Sequence, residues 1–262
     1  HNTGGRYDLA TDSWTPISTG TNVPSPRDTF FASWVNSSLV VWGGTLSHNL
    51  PVPNTGGRYD PATDTWKPTS TGSNVPAART AGYFFHVIGA ASGTRMFVWG
   101  GGQGAGALNN GALYDPAADT WSLVSTGVNV PTPRGDLPLL WTGSQFVVWG
   151  GTSASNSNSG AFYDPVADTW TSLGTGAGLP TPRGAHSAVW TGAKLIVWGG
   201  GTPGSSYGNS GAVYSPSPFT APATSNRWTA ISSGSNVPTG RYYHSSAWTG
   251  TKLIVWGGWT SS

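Results

Sequence analysis

The 262 residues carry a net charge of +2, contain no cysteine and include only 8% charged residues. The lack of cysteine excludes disulfides, thiolate metal sites and cysteine nucleophiles. All acidic residues are Asp and the few basic residues are spread along the chain, which argues against long exposed helices and against nucleic-acid binding. No apolar run approaches the roughly 18 residues of a membrane-spanning helix, so membrane insertion is not expected.

In chain order, the first two predicted strands surround Tyr7 and Trp14 and are joined by an Asp-rich turn. The segment STGTNVPSPR then ends in Arg27, and the next two predicted strands end in Trp34 and in a VWGG sequence at Trp42. The same order returns along the whole chain. The VWGG tryptophans are Trp42, Trp99, Trp149, Trp198 and Trp256, those after the Asp-rich turn are Trp14, Trp66, Trp121, Trp170 and Trp228, and the arginines are Arg27, Arg79, Arg134, Arg183 and Arg241.

Each repeat contains four extended segments that are rich in aromatic and β-branched residues and bounded by turn residues. Thr-Gly pairs such as Thr142-Gly143 join the first two segments, and the Asp-rich turn joins the last two. A single four-stranded meander cannot bury both of its faces, so several must pack on each other around an axis. The sequence therefore predicts an all-β propeller with four-stranded antiparallel blades.

The double glycine, followed at fixed distances by a Tyr and a Trp, resembles the kelch repeat, and the resemblance covers the whole chain. It implies a kelch-type β-propeller, and five repeats predict five blades. Joining the chain ends would place Trp256 and Trp42 one repeat length apart. We therefore expect residues 1–262 to form a single propeller whose last blade is closed by N- and C-terminal strands together, from about 239–262 and 1–20. A fragment of a longer array is the alternative.

Most of the aromatic and acidic residues have a structural explanation in the repeat. Every tryptophan except Trp259 occupies a repeat position, which favours packing between blades over stacking on sugars. Eight of the ten Asp lie in the Asp-rich turn, where we expect them to cap turn amides; a repeated cation site is the alternative. One copy of the turn has Ser215 and Asn226 in place of its two Asp residues. No metal site and no cofactor are therefore predicted.

The five arginines precede the predicted innermost strands, so we expect them around one mouth of the central channel. In one interpretation each guanidinium binds carbonyl groups of the preceding segment or of the next blade. In the other, the five charges form a funnel that attracts carboxylate or sulfate groups. The sequence leaves both open.

Residues that break the repeat are further candidates for a binding site, because function often interrupts a local rule. His186 and His244 each follow their arginine by three residues, where the other repeats have no histidine. Asp28 and Asp136 lie close to an arginine in two repeats and are expected to pair with it. The other candidates are Tyr83, Tyr207, Tyr242, Tyr243, His48 and Trp259. By resemblance, most of them lie on the loop face that kelch proteins use for partners.

We therefore expect a non-catalytic recognition module that binds a protein or a carbohydrate, including acidic ligands if the arginines attract anions. A multivalent lectin is one alternative, and a sugar-modifying enzyme such as a sialic acid mutarotase-like epimerase is another. The enzyme would have to use His186, His244 or Asp136 with an arginine as its acid and base. Low charge and abundant Gly, Ser, Thr and Trp favour a secreted or cell-surface protein. The sequence predicts no oligomeric state.

Overall fold

The computed structural model describes residues 1–46, 52–79, 89–103, 106–202, 207–216 and 227–260, and these residues form strands and no helix. The all-β prediction is therefore confirmed. The chain divides into two compact units, which are described separately. Unit 1 comprises His1–Ala105 and Asn110–Val124, and unit 2 comprises Gly106–Asn109 and Ser125–Ser262.

The strands follow the predicted order closely. In chain order they are β1 Gly5–Asp8, β2 Ser13–Pro16, β3 Phe31–Val35, β4 Ser38–Trp42, β5 Gly56–Asp60, β6 Thr65–Pro68, β7 Gly89–Ala91, β8 Met96–Trp99, β9 Gly102–Gln103, β10 Gly106–Ala107, β11 Gly111–Asp115, β12 Thr120–Leu123, β13 Leu139–Trp141, β14 Phe146–Trp149, β15 Gly160–Asp164, β16 Thr169–Ser172, β17 Ser187–Trp190, β18 Leu195–Trp198, β19 Gly211–Ser215, β20 Arg227–Ala230, β21 Ser245–Trp248 and β22 Leu253–Trp256.

Unit 1 contains the hairpin β1–β2 and two four-stranded antiparallel sheets, ordered β3-β4-β5-β6 and β7-β8-β11-β12. The first strands of the two sheets, β3 and β7, contact each other. Between the sheets lies a buried cluster that includes Val40, Trp42, Met96, Tyr114 and Trp121. The rings of Trp42 and Trp121 are 5.3 Å apart, so the VWGG tryptophan of one sheet packs on the fourth-strand tryptophan of the next.

Unit 2 repeats this plan with the sheets β13-β14-β15-β16 and β17-β18-β19-β20 and the hairpin β21–β22. Strand β17 contacts both β13 and β21, so first strands again lie side by side. The buried cluster includes Trp149, Phe162, Val197, Tyr214 and Trp228. The rings of Trp149 and Trp228 are 5.1 Å apart, so the tryptophan packing of unit 1 recurs. Sheets that pack on each other in this way, with their first strands side by side, are those of a β-propeller.

The Asp-rich turn links consecutive repeats as well as closing a hairpin. Asp115 caps its turn, as predicted, by accepting backbone N–H bonds. Asp119 accepts the hydroxyl of Tyr114 and, at 2.8 Å, the backbone N–H of Ser70, which follows strand β6 of the other sheet. The indole Nε1 of Trp121 donates to the carbonyl of Ser70 at 3.0 Å. The cap was predictable from the sequence, whereas the link between sheets was not.

The predicted closure of the last blade is not confirmed. Strands β1 and β2 form one two-stranded sheet, and β21 and β22 form another, in place of one four-stranded blade. The physical consequence is exposure of the repeat tryptophans on these hairpins. Trp14 is 71% and Trp256 is 80% exposed, whereas Trp42 and Trp99 are buried. The count of five blades is likewise not confirmed, and the single domain over residues 1–262 stays a prediction.

Candidate binding surface

Each repeat arginine precedes the first strand of its sheet in the chain, and its guanidinium group points into that sheet. Arg183 shows the full arrangement and is 1% exposed. Its Nη1 donates to the carbonyls of Gly199 at 2.9 Å and Ser210 at 2.7 Å. Its Nε donates to the carbonyl of Thr181 at 3.1 Å, and its Nη2 donates to the hydroxyls of Thr181 and Ser210. The guanidinium therefore clamps the strand ends of its own sheet.

The same clamp recurs at Arg27, Arg79 and Arg134, which are all buried. Burial lowers the pKa of Arg79, Arg134 and Arg183 to about 10, so these groups are still charged at neutral pH. Arg241 also donates to the carbonyls of Thr239 and Gly257, but these two bonds are exposed to solvent, unlike those of the buried clamps.

This geometry favours the structural interpretation of the arginines over the anion funnel. In the four buried clamps, the donors point at carbonyl and hydroxyl oxygens of the protein, so few remain for an external anion. The carbonyls that Nη1 contacts belong to the arginine's own sheet, whereas contacts with the preceding segment or the next blade were expected. The bonds from Nε and Nη2 to the carbonyl and hydroxyl of Thr181 do return to the preceding segment.

The expected pairing of Asp28 with Arg27 and of Asp136 with Arg134 is wrong. Among the described residues, the ion pairs are Arg6 with Asp64 and Arg58 with Asp119. The clamp turns each repeat guanidinium inward to backbone carbonyls, away from these carboxyl groups. Asp28 is exposed, and its backbone pairs with that of Thr45.

Two residues after the repeat arginines Arg27, Arg134, Arg183 and Arg241, the backbone adopts a left-handed conformation. The residues are Thr29, Asp136, Ala185 and Tyr243, with φ between 50° and 53°. In unit 2 they join consecutive repeats, because the N–H of Ala185 donates to the carbonyl of Asp136 at 2.7 Å and the N–H of Tyr243 donates to that of Ala185 at 3.2 Å. We call Asp136, Ala185 and Tyr243 the belt. The sequence signal was the constant offset from the arginine, although the residue types differ.

His186 and His244 follow the belt residues and are buried beneath them. The ring of His186 packs edge-on against Trp149 of the preceding sheet, with centroids 5.3 Å apart. A Cβ atom at Gly150 would lie 2.6 Å from His186 Cε1, so the first glycine of the VWGG sequence makes room for the ring. His244 repeats this contact against Trp198 and shares a 2.7 Å hydrogen bond with the hydroxyl of Ser187.

Both histidines are neutral at physiological pH. Burial, helped by the positive charge of Arg183, lowers the pKa of His186 to about 3, and burial lowers that of His244 to about 4. Neither ring nitrogen of His186 has a hydrogen-bond partner among the described residues. These side chains therefore act as packing groups, and their predicted role in binding stays a prediction.

Asp136 is the acidic residue of the belt and is only 7% exposed. Its Oδ1 has no hydrogen-bond partner in the part of the chain that the structure describes. Burial raises the pKa of its carboxyl to about 7. A carboxyl group can therefore exist there in either protonation state near neutral pH.

Aromatic side chains that break the repeat lie together beside the belt. The rings of Tyr207 and Tyr242 are stacked with centroids 5.3 Å apart, and Tyr243 meets Tyr242 edge-on at 4.8 Å. The backbone of Tyr242 pairs with that of Trp259, whose side chain is 68% exposed. Of the other predicted candidates, Tyr83 and His48 lie outside the described residues. We call Tyr207, Tyr242, Tyr243 and Trp259 the aromatic surface.

Over the ranges that the structure covers, no three His or Asp side chains come together in a way that could hold a metal ion. The same ranges contain no helix that is long and apolar enough to cross a membrane.

One family model matches the chain. Its description is KLHDC2/KLHL20/DRC7 Kelch-repeats domain, and it matches residues 1–200 and again residues 139–262. No curated protein matches the sequence.

Proposed function

The chain belongs to the Kelch-repeat family, and we propose that it is a non-catalytic recognition module that binds a protein partner through the aromatic surface. Kelch repeats generally mediate protein–protein interactions. One observation supports this place for the contact. The repeat's own aromatic residues in the four-stranded sheets are mostly buried, whereas the residues of the aromatic surface interrupt the repeat and remain accessible.

The chemistry of these residues suits recognition. Tyr and Trp combine a large apolar area with a polar group and are enriched where interfaces contribute most binding energy. The surface occurs once in unit 2, because the equivalent positions of the other sheets carry different residues. A single asymmetric contact therefore fits better than the several equal sites of a lectin.

The histidine and aspartate predicted for the enzyme alternative offer little for catalysis. His186 is neutral and buried, and no hydrogen bond joins it to Asp136 within the described part of the chain. General acid–base catalysis commonly pairs two such groups, and Asp136, whose pKa is about 7, has no basic partner bonded to its Oδ1 among the described residues. Kelch-repeat domains are typically non-enzymatic, which agrees with this geometry. We further propose an extracellular or cell-surface location, supported by the low charged fraction of 8%.

A display selection tests the proposal. A random peptide library is selected on the immobilised protein, and enriched peptides are then measured against the double variant Tyr242→Ser/Trp259→Ser. We expect at least about a tenfold loss of affinity, because interface aromatic residues commonly contribute 1–2 kcal/mol or more each. Trp14→Ser is the matched control, since Trp14 is an equally exposed tryptophan on the β1–β2 hairpin.

Equal binding by the double variant and the wild-type protein would contradict the proposal. A glycan array on the same protein examines the carbohydrate alternative. Saturable glycan binding that the double variant loses would make a sugar the ligand of this surface.

A further inference from the structure

The belt carries an acid that the fold does not require. Thr29 in unit 1 and Ala185 and Tyr243 in unit 2 adopt the same left-handed conformation without a carboxyl group. The hydrogen bonds of the belt use only backbone atoms, as between Asp136 and Ala185. Any residue that tolerates this conformation could therefore form the belt, and the carboxyl group of Asp136 needs another explanation.

That carboxyl group lacks a partner in a place where it should have one. Its Oδ1 is buried and unbonded within the described residues, and no described cation pairs with it. Buried polar groups in native proteins are nearly always hydrogen-bonded, because an unpaired one is costly. The burial that raises its pKa to about 7 reflects the same cost.

The belt places a small residue and a tyrosine next to Asp136. Ala185, the next residue of the belt, has only a methyl side chain, and Tyr243 follows on its other side. Burial, with a smaller contribution from the negative charge of Asp136, raises the pKa of Tyr243 to about 12. An acid and an aromatic ring thus flank a small residue. We call this place the notch.

We propose that the notch formed by Asp136, Ala185 and Tyr243 binds the cationic side chain of an Arg or Lys in the protein partner. This inference rests on the proposed function and names the chemistry of the partner. The carboxylate supplies charge-assisted hydrogen bonds, and the Tyr243 ring supplies a cation–π contact.

The surroundings favour a cation over the acidic ligand considered from the sequence. The arginine nearest in the chain, Arg134, donates to the carbonyls of Thr132, Gly150 and Ser159, so its donors are directed into the protein. The stacked rings of Tyr242 and Tyr207 continue from Tyr243. They form an apolar row on which the residues next to the partner's basic side chain can pack.

The peptides from the display selection test this chemistry. We expect them to be enriched in Arg or Lys at one position. Replacement of that residue by citrulline in a synthetic peptide, which keeps the shape of Arg and removes its charge, is expected to weaken binding to the wild-type protein about tenfold. This arm leaves the protein unaltered, so it does not depend on how a variant folds.

Protein variants provide the second arm. Asp136→Asn is expected to weaken binding of the arginine peptide about tenfold and to leave the citrulline peptide unchanged. Asp28→Asn is the matched control, because Asp28 is also close to a repeat arginine but is exposed and outside the belt. Thermal unfolding confirms that each variant is folded.

The possible results separate the two proposals. Peptides that need Tyr242 and Trp259, yet show no basic residue and bind Asp136→Asn normally, would retain the proposed function and overturn the notch. Equal affinity of the arginine and citrulline peptides would also overturn it. A selection that yields no peptide dependent on the aromatic surface would overturn both.

Discussion

Replacing Arg183 by Met measures directly what a repeat clamp contributes to stability. Methionine retains most of the apolar volume and removes all five donated hydrogen bonds. The three bonds to carbonyls of Thr181, Gly199 and Ser210 involve a charged donor, and at about 2 kcal/mol each they stabilise the fold by about 6 kcal/mol. The three bonds share one guanidinium group, so their contributions are not additive. The expected loss is therefore about 3 kcal/mol or more.

Urea denaturation followed by tryptophan fluorescence measures this loss as a change in the free energy of unfolding. Arg241→Met is the matched control, because its bonds lie at a solvent-exposed position, and it should lose less than about 1 kcal/mol. Arg183→Lys keeps the charge but not the planar group, and should recover little of the loss. Equal effects of Arg183→Met and Arg241→Met, or full recovery by lysine, would refute the clamp reasoning.

Three further changes test the belt and the packing beneath it. Because the pKa of Asp136 is raised from 3.8 to about 7 in the folded state, ionisation of its carboxyl favours the unfolded chain as the pH rises through this window. The free energy of unfolding of Asp136→Asn, measured by chemical denaturation, should therefore rise by about 4 kcal/mol relative to that of the wild type between pH 4 and pH 8. Parallel pH profiles of the two proteins would contradict this. The pKa of His186 is instead lowered from 6.5 to about 3, because the folded protein favours the neutral ring. Acidification below pH 6.5 protonates this histidine in the unfolded chain first and therefore destabilises the folded protein. His186→Leu should therefore resist a fall from pH 7.5 to pH 4.5 better than wild type by about 3 kcal/mol, and an unchanged acid profile would count against burial as the cause. Gly199→Ala places a Cβ 2.6 Å from His244 at a residue with φ +72, and it should lower the stability measured by thermal unfolding by about 2 kcal/mol or more. Gly192→Ala is the control for backbone strain alone, because Gly192 has φ +96 and no atom within 4 Å of the added Cβ. Equal losses in the two variants would show that contact with the histidine is unimportant.

The strand pattern was predictable because it depends on local residue types that recur in every repeat. Turn residues separate the strands, and the VWGG tryptophans and turn aspartates recur in register, so one interpretation explained all copies at once. Trp42 and Trp121, for example, were expected to pack between blades, and their contact in unit 1 has that character. Repetition supplies redundancy that a single strand lacks.

The sequence by itself determined the all-β class, the repeat register and the residues that break the repeat. Only the tertiary structure decided that Arg183 points into its own sheet, that Asp119 reaches a neighbouring one and that the buried Oδ1 of Asp136 has no hydrogen-bond partner among the described residues. It also left β1–β2 and β21–β22 as separate hairpins, where repeat arithmetic predicted one blade. The physical reason is that spacing along a chain specifies which residues are equivalent, whereas the direction of a side chain and its burial depend on atoms brought close from distant segments.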